Sequence, residues 1–268
     1  MQKAAFPTIH EAVSKKLSGI DADFLQDLFG GSLGYSYLAF RQMVLAYDET
    51  VTDCMFEDIC FEIASAVRIH PELASLLMHA SNTPHAKTFV ITSGLRKIWE
   101  KVMQLAKLDH AVQVIGGGRL RDGYVVNAAV KAHLVSHLRN KYHQYVWAFG
   151  DSTLDLEMLQ EADQAVVVVG DEESRSHTMD DALAQALKTR QLRARQALLP
   201  CSVRPRLDCT RLPQCDPASG DFIKELLLPR MVVHDESQSS AAKLLMTATR
   251  DAEKSGSLLR KAHERVGR

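Results

Sequence analysis

Between residues 87 and 170, four short apolar runs each end in small or acidic residues, and this rhythm constrains the fold more than any other feature of the chain. Thr88-Phe89-Val90-Ile91 ends in Thr92-Ser93-Gly94 and leads into a helical pattern over 95–105. Val112-Gln113-Val114-Ile115 ends in Gly116-Gly117-Gly118, and the turn signal Asp122-Gly123 precedes a helical 128–138. The run 145–149 ends in Gly150-Asp151 ahead of a helical 154–161, and 165–169 ends at Gly170. Runs of four or five residues are strand-length, and strands alternating with helices predict an α/β fold with a parallel sheet. A ligand site then belongs at the carboxyl ends of the strands.

The flanks read as helix. Leu38, Phe40, Val44, Leu45, Phe56, Ile59, Cys60, Ile63, Ala64, Leu73, Leu76 and Leu77 recur at helical spacing over 36–80, with a break at His70-Pro71. Residues 1–30 are mostly helical in pattern, with a proline at Pro7. After Gly170 the rhythm stops: 179–199 reads as a basic helix carrying Lys188, Arg190, Arg193 and Arg195, 200–220 as a linker, and 231–268 as a helical tail. The predicted division is 1–35, 36–86, 87–175, 176–230 and 231–268.

With 46% hydrophobic residues, 24% charged residues and a net charge of −1, the composition is that of an ordinary globular protein with no signature of nucleic-acid binding. No stretch approaches the ~20 apolar residues of a membrane span, and the first twenty residues do not read as a signal peptide. Five cysteines without a C-x-x-C pair argue against a disulfide framework and a zinc knuckle, which points to a reducing, cytoplasmic setting. His70, His79 and His85 read as surface or packed residues rather than ligands.

Four polar residues sit where strands end or helices begin: Thr92, Lys131, Asp151 and Asp155. Each has an ordinary structural reading, since a strand-end threonine or Asp151-Ser152 can simply cap a helix, and a helical lysine is normally solvated. In this order and each after the right element, however, they resemble motifs II, III and IV of the haloacid dehalogenase-like superfamily, closest to its phosphoserine phosphatase-like branch. The resemblance covers about residues 36–175. It implies a Rossmann-like parallel sheet with a helical cap over 36–86. Thr92, with Ser93 as its alternative, would hydrogen-bond a phosphoryl oxygen, and Lys131 would neutralise the transferring group. Asp151 would hold Mg²⁺ with Asp155 in support, and the ligand would be a phosphorylated small molecule.

The family's attacking aspartate stands at the end of its first core strand in a D-x-D-x-[TV] motif, and without it no phosphoaspartyl intermediate forms. The Asp-x-Asp upstream of Thr92 is Asp21-Ala22-Asp23, preceded by a charged, helix-like 12–20 rather than a buried strand. The expectation is a phosphatase-like domain lacking its nucleophile strand and catalytically impaired; a Mg²⁺-dependent phosphomonoesterase using Asp21 or Asp23 is the rival. A sheet without that strand should show either an open slot beside the strands near Phe89–Ile91 and 146–149 or direct pairing between them, with an edge prone to self-association.

A second resemblance, carried by Leu33-Gly34-Tyr35-Ser36-Tyr37, Val114–Arg119, Tyr145–Asp151 and Ala241–Thr247, is to fungal proteins fusing uridine-kinase-like, phosphoserine phosphatase-like and uracil phosphoribosyltransferase parts. It implies a chain truncated at both ends relative to them and, as a third possibility, a non-catalytic partner-binding module. No G-x-x-x-x-G-K-[ST] loop is present, so kinase activity is not carried over.

Overall fold

The computed structural model describes residues 22–173, 175, 176, 178–189, 191–229, 240–251 and 253–266. The chain divides into two compact units, Met1–Pro229 and Arg230–Arg268. The first described elements of the first unit are four helices, α1 Ala22–Gly30, α2 Tyr37–Thr50, α3 Asp53–Ala66 and α4 Pro71–Ser81. Ser36 and Thr52 cap α2 and α3 by accepting from the amides of Ala39 and Met55, and Pro71 begins α4 where its missing N–H costs nothing.

The α/β part follows as β1 Thr88–Ile91, α5 Arg96–Leu105, β2 Val112–Ile115, α6 Ala128–Asn140, β3 Trp147–Gly150, α7 Leu156–Glu161, β4 Gln164–Val169, α8 Thr178–Lys188, β5 Ala194–Leu198, β6 Gln214–Cys215 and α9 Gly220–Leu227. All strand pairings are parallel, so the fold is α/β as the alternation predicts. The pairing falls into two sheets, β1-β2 and β3-β4-β5-β6. Among the described residues no strand pairs with the free edge of β1 or of β3, and these two do not pair with each other.

Each sheet has its own core. Phe40, Val44 and Tyr47 of α2 and Phe56, Ile59 and Ile63 of α3 pack with Ile98 and Val102 of α5 and Val112 of β2. The helices before β1 are therefore bonded into the β1-β2 half by a shared apolar interior. Around the second sheet, Val135, Ala148, Leu159, Val167, Val169, Leu183 and Leu212 form another cluster, joined by Ile91 from the end of β1. Leu76 of α4 lies with Val166, Ala197 and Phe222 on a third.

The stretch after Gly170 departs from the sequence expectation. The helix ends at Lys188, and Arg195 stands on β5, so 179–199 is not one basic helix. Nor is 200–220 a linker, because Leu199 and Leu212 are buried in the unit and β6 pairs with β5. The strand hides from periodicity because it carries Arg195 and Gln196. Arg195 covers the rings of Trp147 and Phe222, at 5.1 and 5.2 Å, and forks onto Glu225. Gln196 is fully buried but saturated: its amide nitrogen donates to the carbonyls of Leu207 and Leu212, and its oxygen accepts from the amide of Arg206.

The second unit holds α10 Ser240–Thr247 and α11 Gly256–Val266. All five cysteines are free thiols. Among the described residues no helix is long and apolar enough to cross a membrane.

Replacing Gln196 by leucine removes partners from two buried backbone groups, the Leu212 carbonyl and the Arg206 amide, and from the half-buried Leu207 carbonyl, each buried group costing about 1–3 kcal/mol when left unpaired. Chemical denaturation of Gln196→Leu should therefore show a loss of at least about 2 kcal/mol, the lower end of that range for the two buried groups. A midpoint unchanged from wild type would mean that 199–213 is a linker after all.

Candidate phosphate and metal site

The carboxyl end of β3 is where the polar chemistry collects. Asn127 caps α6 by accepting from the amide of Val130, and this start places Lys131 on the buried face of the first turn. Its ammonium donates to Asp155 Oδ1 at 2.7 Å, and both side chains are less than a tenth exposed. The other oxygen of Asp155 accepts from the Ser152 hydroxyl at 2.9 Å and from the amides of Asp151 and Ser152 at 3.2 Å. The carboxylate is thereby filled by one ammonium and three further donors. Gly150 makes this approach possible, since a Cβ there would collide with the Asp155 side chain.

The electrostatics of the two aspartates run in opposite directions. Burial alone would raise the Asp155 carboxyl, but the charge and hydrogen bond of Lys131, with Ser152 and the Asp151 amide, outweigh it and hold the group below its usual value. Asp151 is pushed up, first by the protein crowded around its carboxyl and then by the negative charge of Asp155. By surface area Asp151 is exposed, so it is open to solvent on one side while its other side is stripped of water.

Thr92 ends β1 in the other sheet. Its amide extends the ladder by donating to the Ile115 carbonyl at 2.9 Å, its hydroxyl accepts from the amide of Gly94 at 3.0 Å, and its methyl fills the space over Gly116. Neighbouring Ser93 has a buried hydroxyl with no hydrogen-bond partner among the described residues. Among those residues no hydrogen bond joins Thr92 or Ser93 to Lys131, Asp151 or Asp155. Hydrogen bonds link three of the four expected residues, Lys131, Asp155 and Asp151, while Thr92 follows β1 of the separately paired β1-β2 sheet.

A profile of haloacid dehalogenase-like hydrolases matches residues 5–160, more than half of the chain. The chain belongs to that family. Neither the curated proteins nor the solved structures contain a match. Within this haloacid dehalogenase-like frame, the donor set suits Mg²⁺ only sparingly. Asp151 is the carboxylate free to hold it, and among the described residues no group of three or more histidine, cysteine or acidic side chains comes together. A Mg²⁺ at Asp151 would take its other oxygens from water and phosphate, as this ion commonly does. Asp155, expected as direct or supporting ligand, is spent on Lys131 and the Ser152 loop.

Of the proposed nucleophiles, Asp21 lies outside the described residues, and the backbone of Asp23 lies in helix α1. The other aspartates described ahead of Thr92 are also helical: Asp27 on α1, Asp48 on α2, Asp53 and Asp58 on α3. Sequence reading missed two contributors. Ser152 was visible as a cap but not as a donor to Asp155, and Arg206, which lies against the Asp151 carbonyl, sits in a stretch without periodicity.

Lys131→Met leaves the buried Asp155 carboxylate without its counter-charge and should destabilise the protein by about 3–5 kcal/mol at neutral pH. Because the folded-state value of Asp155 is depressed, its pairing stabilises fully above the unfolded carboxyl value of about 3.9 and is lost as pH falls through the folded value. The gap between wild type and variant in thermal denaturation should accordingly narrow as the pH is lowered from neutral through that window. A gap that stays constant with pH would mean that Asp155 is not the ionised partner of Lys131.

Proposed function

We propose that this chain is a phosphatase-like member of its family that retains part of a phosphoryl site but lacks the attacking carboxylate, so that it binds phosphate without turning over phosphomonoesters efficiently. The observation that carries this reading is the pairing of a preorganised Lys131–Asp155–Asp151 group with an interrupted sheet. Between β1 and β3, whose ends carry Thr92 and Asp151, the described residues supply no strand, and every aspartate described upstream of Thr92 is on a helix.

In this reading Asp151 anchors Mg²⁺, which when bound neutralises phosphate oxygens. Thr92 and Ser93 offer hydroxyls at the end of β1, and Lys131 fixes Asp155, which orients the Asp151 loop. The ligand is a phosphorylated small molecule, and the phosphoserine phosphatase-like spelling of Ile91-Thr92-Ser93-Gly94 favours a small phosphomonoester. The kinship to pyrimidine-salvage fusion proteins rests on the sequence similarities alone. A reducing, cytoplasmic setting is supported by the free thiols, two of which, Cys60 and Cys215, burial pushes up to about 12 and about 11.

The test is hydrolysis of a generic aryl phosphate with Mg²⁺ by the purified chain. Rates at background, with inorganic phosphate still protecting the fold against heat, are expected. Turnover that Asp21→Asn or Asp23→Asn abolishes while melting is unchanged would establish the phosphomonoesterase instead.

A further inference from the structure

The peptide between Asp151 and Ser152 is gripped at both ends by buried charges. On its N–H side, Asp155 Oδ2 accepts from Ser152 N at 3.2 Å and from the preceding amide, Asp151 N, at the same distance. On its C=O side stands the guanidinium of Arg206, whose Nη2 reaches the Asp151 carbonyl oxygen at 3.5 Å. A peptide dipole has its positive end at N–H and its negative end at C=O, so carboxylate and guanidinium each face the end that they stabilise.

Arg206 is placed for this by a chain of contacts. Its side chain is 0% exposed. Its Nη1 donates to Asp180 Oδ1 at 2.6 Å and to the Ser176 carbonyl at 2.7 Å, and its Nε has no partner among the described residues. Its own amide is held by the buried Gln196 at 3.0 Å. The contact to Asp151 is the longest of the set, at the outer limit of a hydrogen bond. Its weight comes from burial: a guanidinium shut off from water, with donors still unfilled, has only nearby carbonyl groups to turn to.

We infer that Arg206 is a positioning residue for the candidate site, acting through the Asp151–Ser152 peptide to set the direction in which the Asp151 carboxylate faces. The inference rests on the metal-anchoring role given to Asp151 above. A line of groups, the buried Lys131–Asp155–peptide–Arg206 and the half-buried Asp180, then crosses the site, and its last two members lie beyond the residues 5–160 that match the family profile. In this chain the segment 199–213 becomes part of the site rather than an appendage to it.

The test uses the full chain with Arg206→Lys, which keeps the charge but loses the planar fork, and Asp180→Asn, which loosens the anchor of Arg206 from a partly exposed position. Leu183→Ala, in the buried core of the same sheet, is the control for general destabilisation. Two readouts are taken: the amide ¹H–¹⁵N shifts of Asp151 and Ser152, and Mg²⁺ affinity by calorimetry. Both site variants should move the two amide shifts and weaken Mg²⁺ binding by about 10-fold or more, the usual effect of losing a group that orients a metal ligand. Leu183→Ala should lower the melting temperature and leave both readouts in place. If the site variants behave like Leu183→Ala, or if the amides move while Mg²⁺ affinity stays at the wild-type value, Arg206 is structural only. If wild type itself binds no Mg²⁺, the metal reading of Asp151 fails, and the amide shifts alone decide whether Arg206 positions the loop.

Discussion

The buried ion pair between Lys131 and Asp155 is the contact on which the local architecture depends. Taking two charges out of water costs several kcal/mol each, and their attraction repays this only when the remaining donors and acceptors are also filled. On the carboxylate side they are: the second oxygen of Asp155 collects the Ser152 hydroxyl and two backbone amides. The pair therefore does more than tie α6 to the end of β3. It converts the residues after β3 from a free loop into a turn with one geometry, and that turn carries Asp151. The absence of a side chain at Gly150 is the condition for it, because a Cβ there would collide with the Cβ and Cγ of Asp155.

This ordered corner contrasts with the break between the sheets. β4, the second strand of its sheet, is buried along Ala165–Val169 as a strand covered on both faces should be, whereas all four residues of β1 are only half-buried. The packing follows the same line, with α2, α3 and α5 serving the β1-β2 pair and α6, α7 and α8 the larger sheet. Ile91, at the end of β1, packs against the cluster of the larger sheet. A phosphoryl site assembled from the ends of both sheets needs its parts held to within roughly 0.5 Å. Lys131 and the backbone of Asp151 are tied to each other through Asp155; Thr92 is held to its own sheet by the Ile115 carbonyl.

The elements that were legible in the sequence are those where local pattern and tertiary role coincide. The run around Val167 is apolar because it is buried, Thr88–Ile91 and Val112–Ile115 carry apolar residues on strands that are mostly half-buried, and the small residues that follow turn the chain into the next element. Lys131 and Asp155 were legible as site residues only through their order along the chain; that they neutralise each other depends on a contact 24 residues apart that no local signal encodes. β5 was illegible because Arg195 and Gln196 interrupt its apolar run, and their burial is tolerated only by partners elsewhere, Glu225 and two aromatic rings for one, three backbone groups for the other. Arg119 is a further case. After three glycines it reads as a loop cation, yet it is buried against Asp48, Asp53 and the carbonyls at the end of α2, stitching the helical region to the loop after β2.

The function proposed above is a phosphoryl site without a carboxylate able to attack phosphorus. The most direct measurement is intact-protein mass spectrometry after exposure of the chain to a small, reactive phosphoryl donor with Mg²⁺, quenched in acid to preserve any acyl phosphate. The account predicts no covalent phosphoryl adduct in the wild-type protein. An adduct that hydroxylamine removes and that maps to Asp21 or Asp23 would contradict it, and would show that the Asp21-Ala22-Asp23 stretch supplies the attacking group.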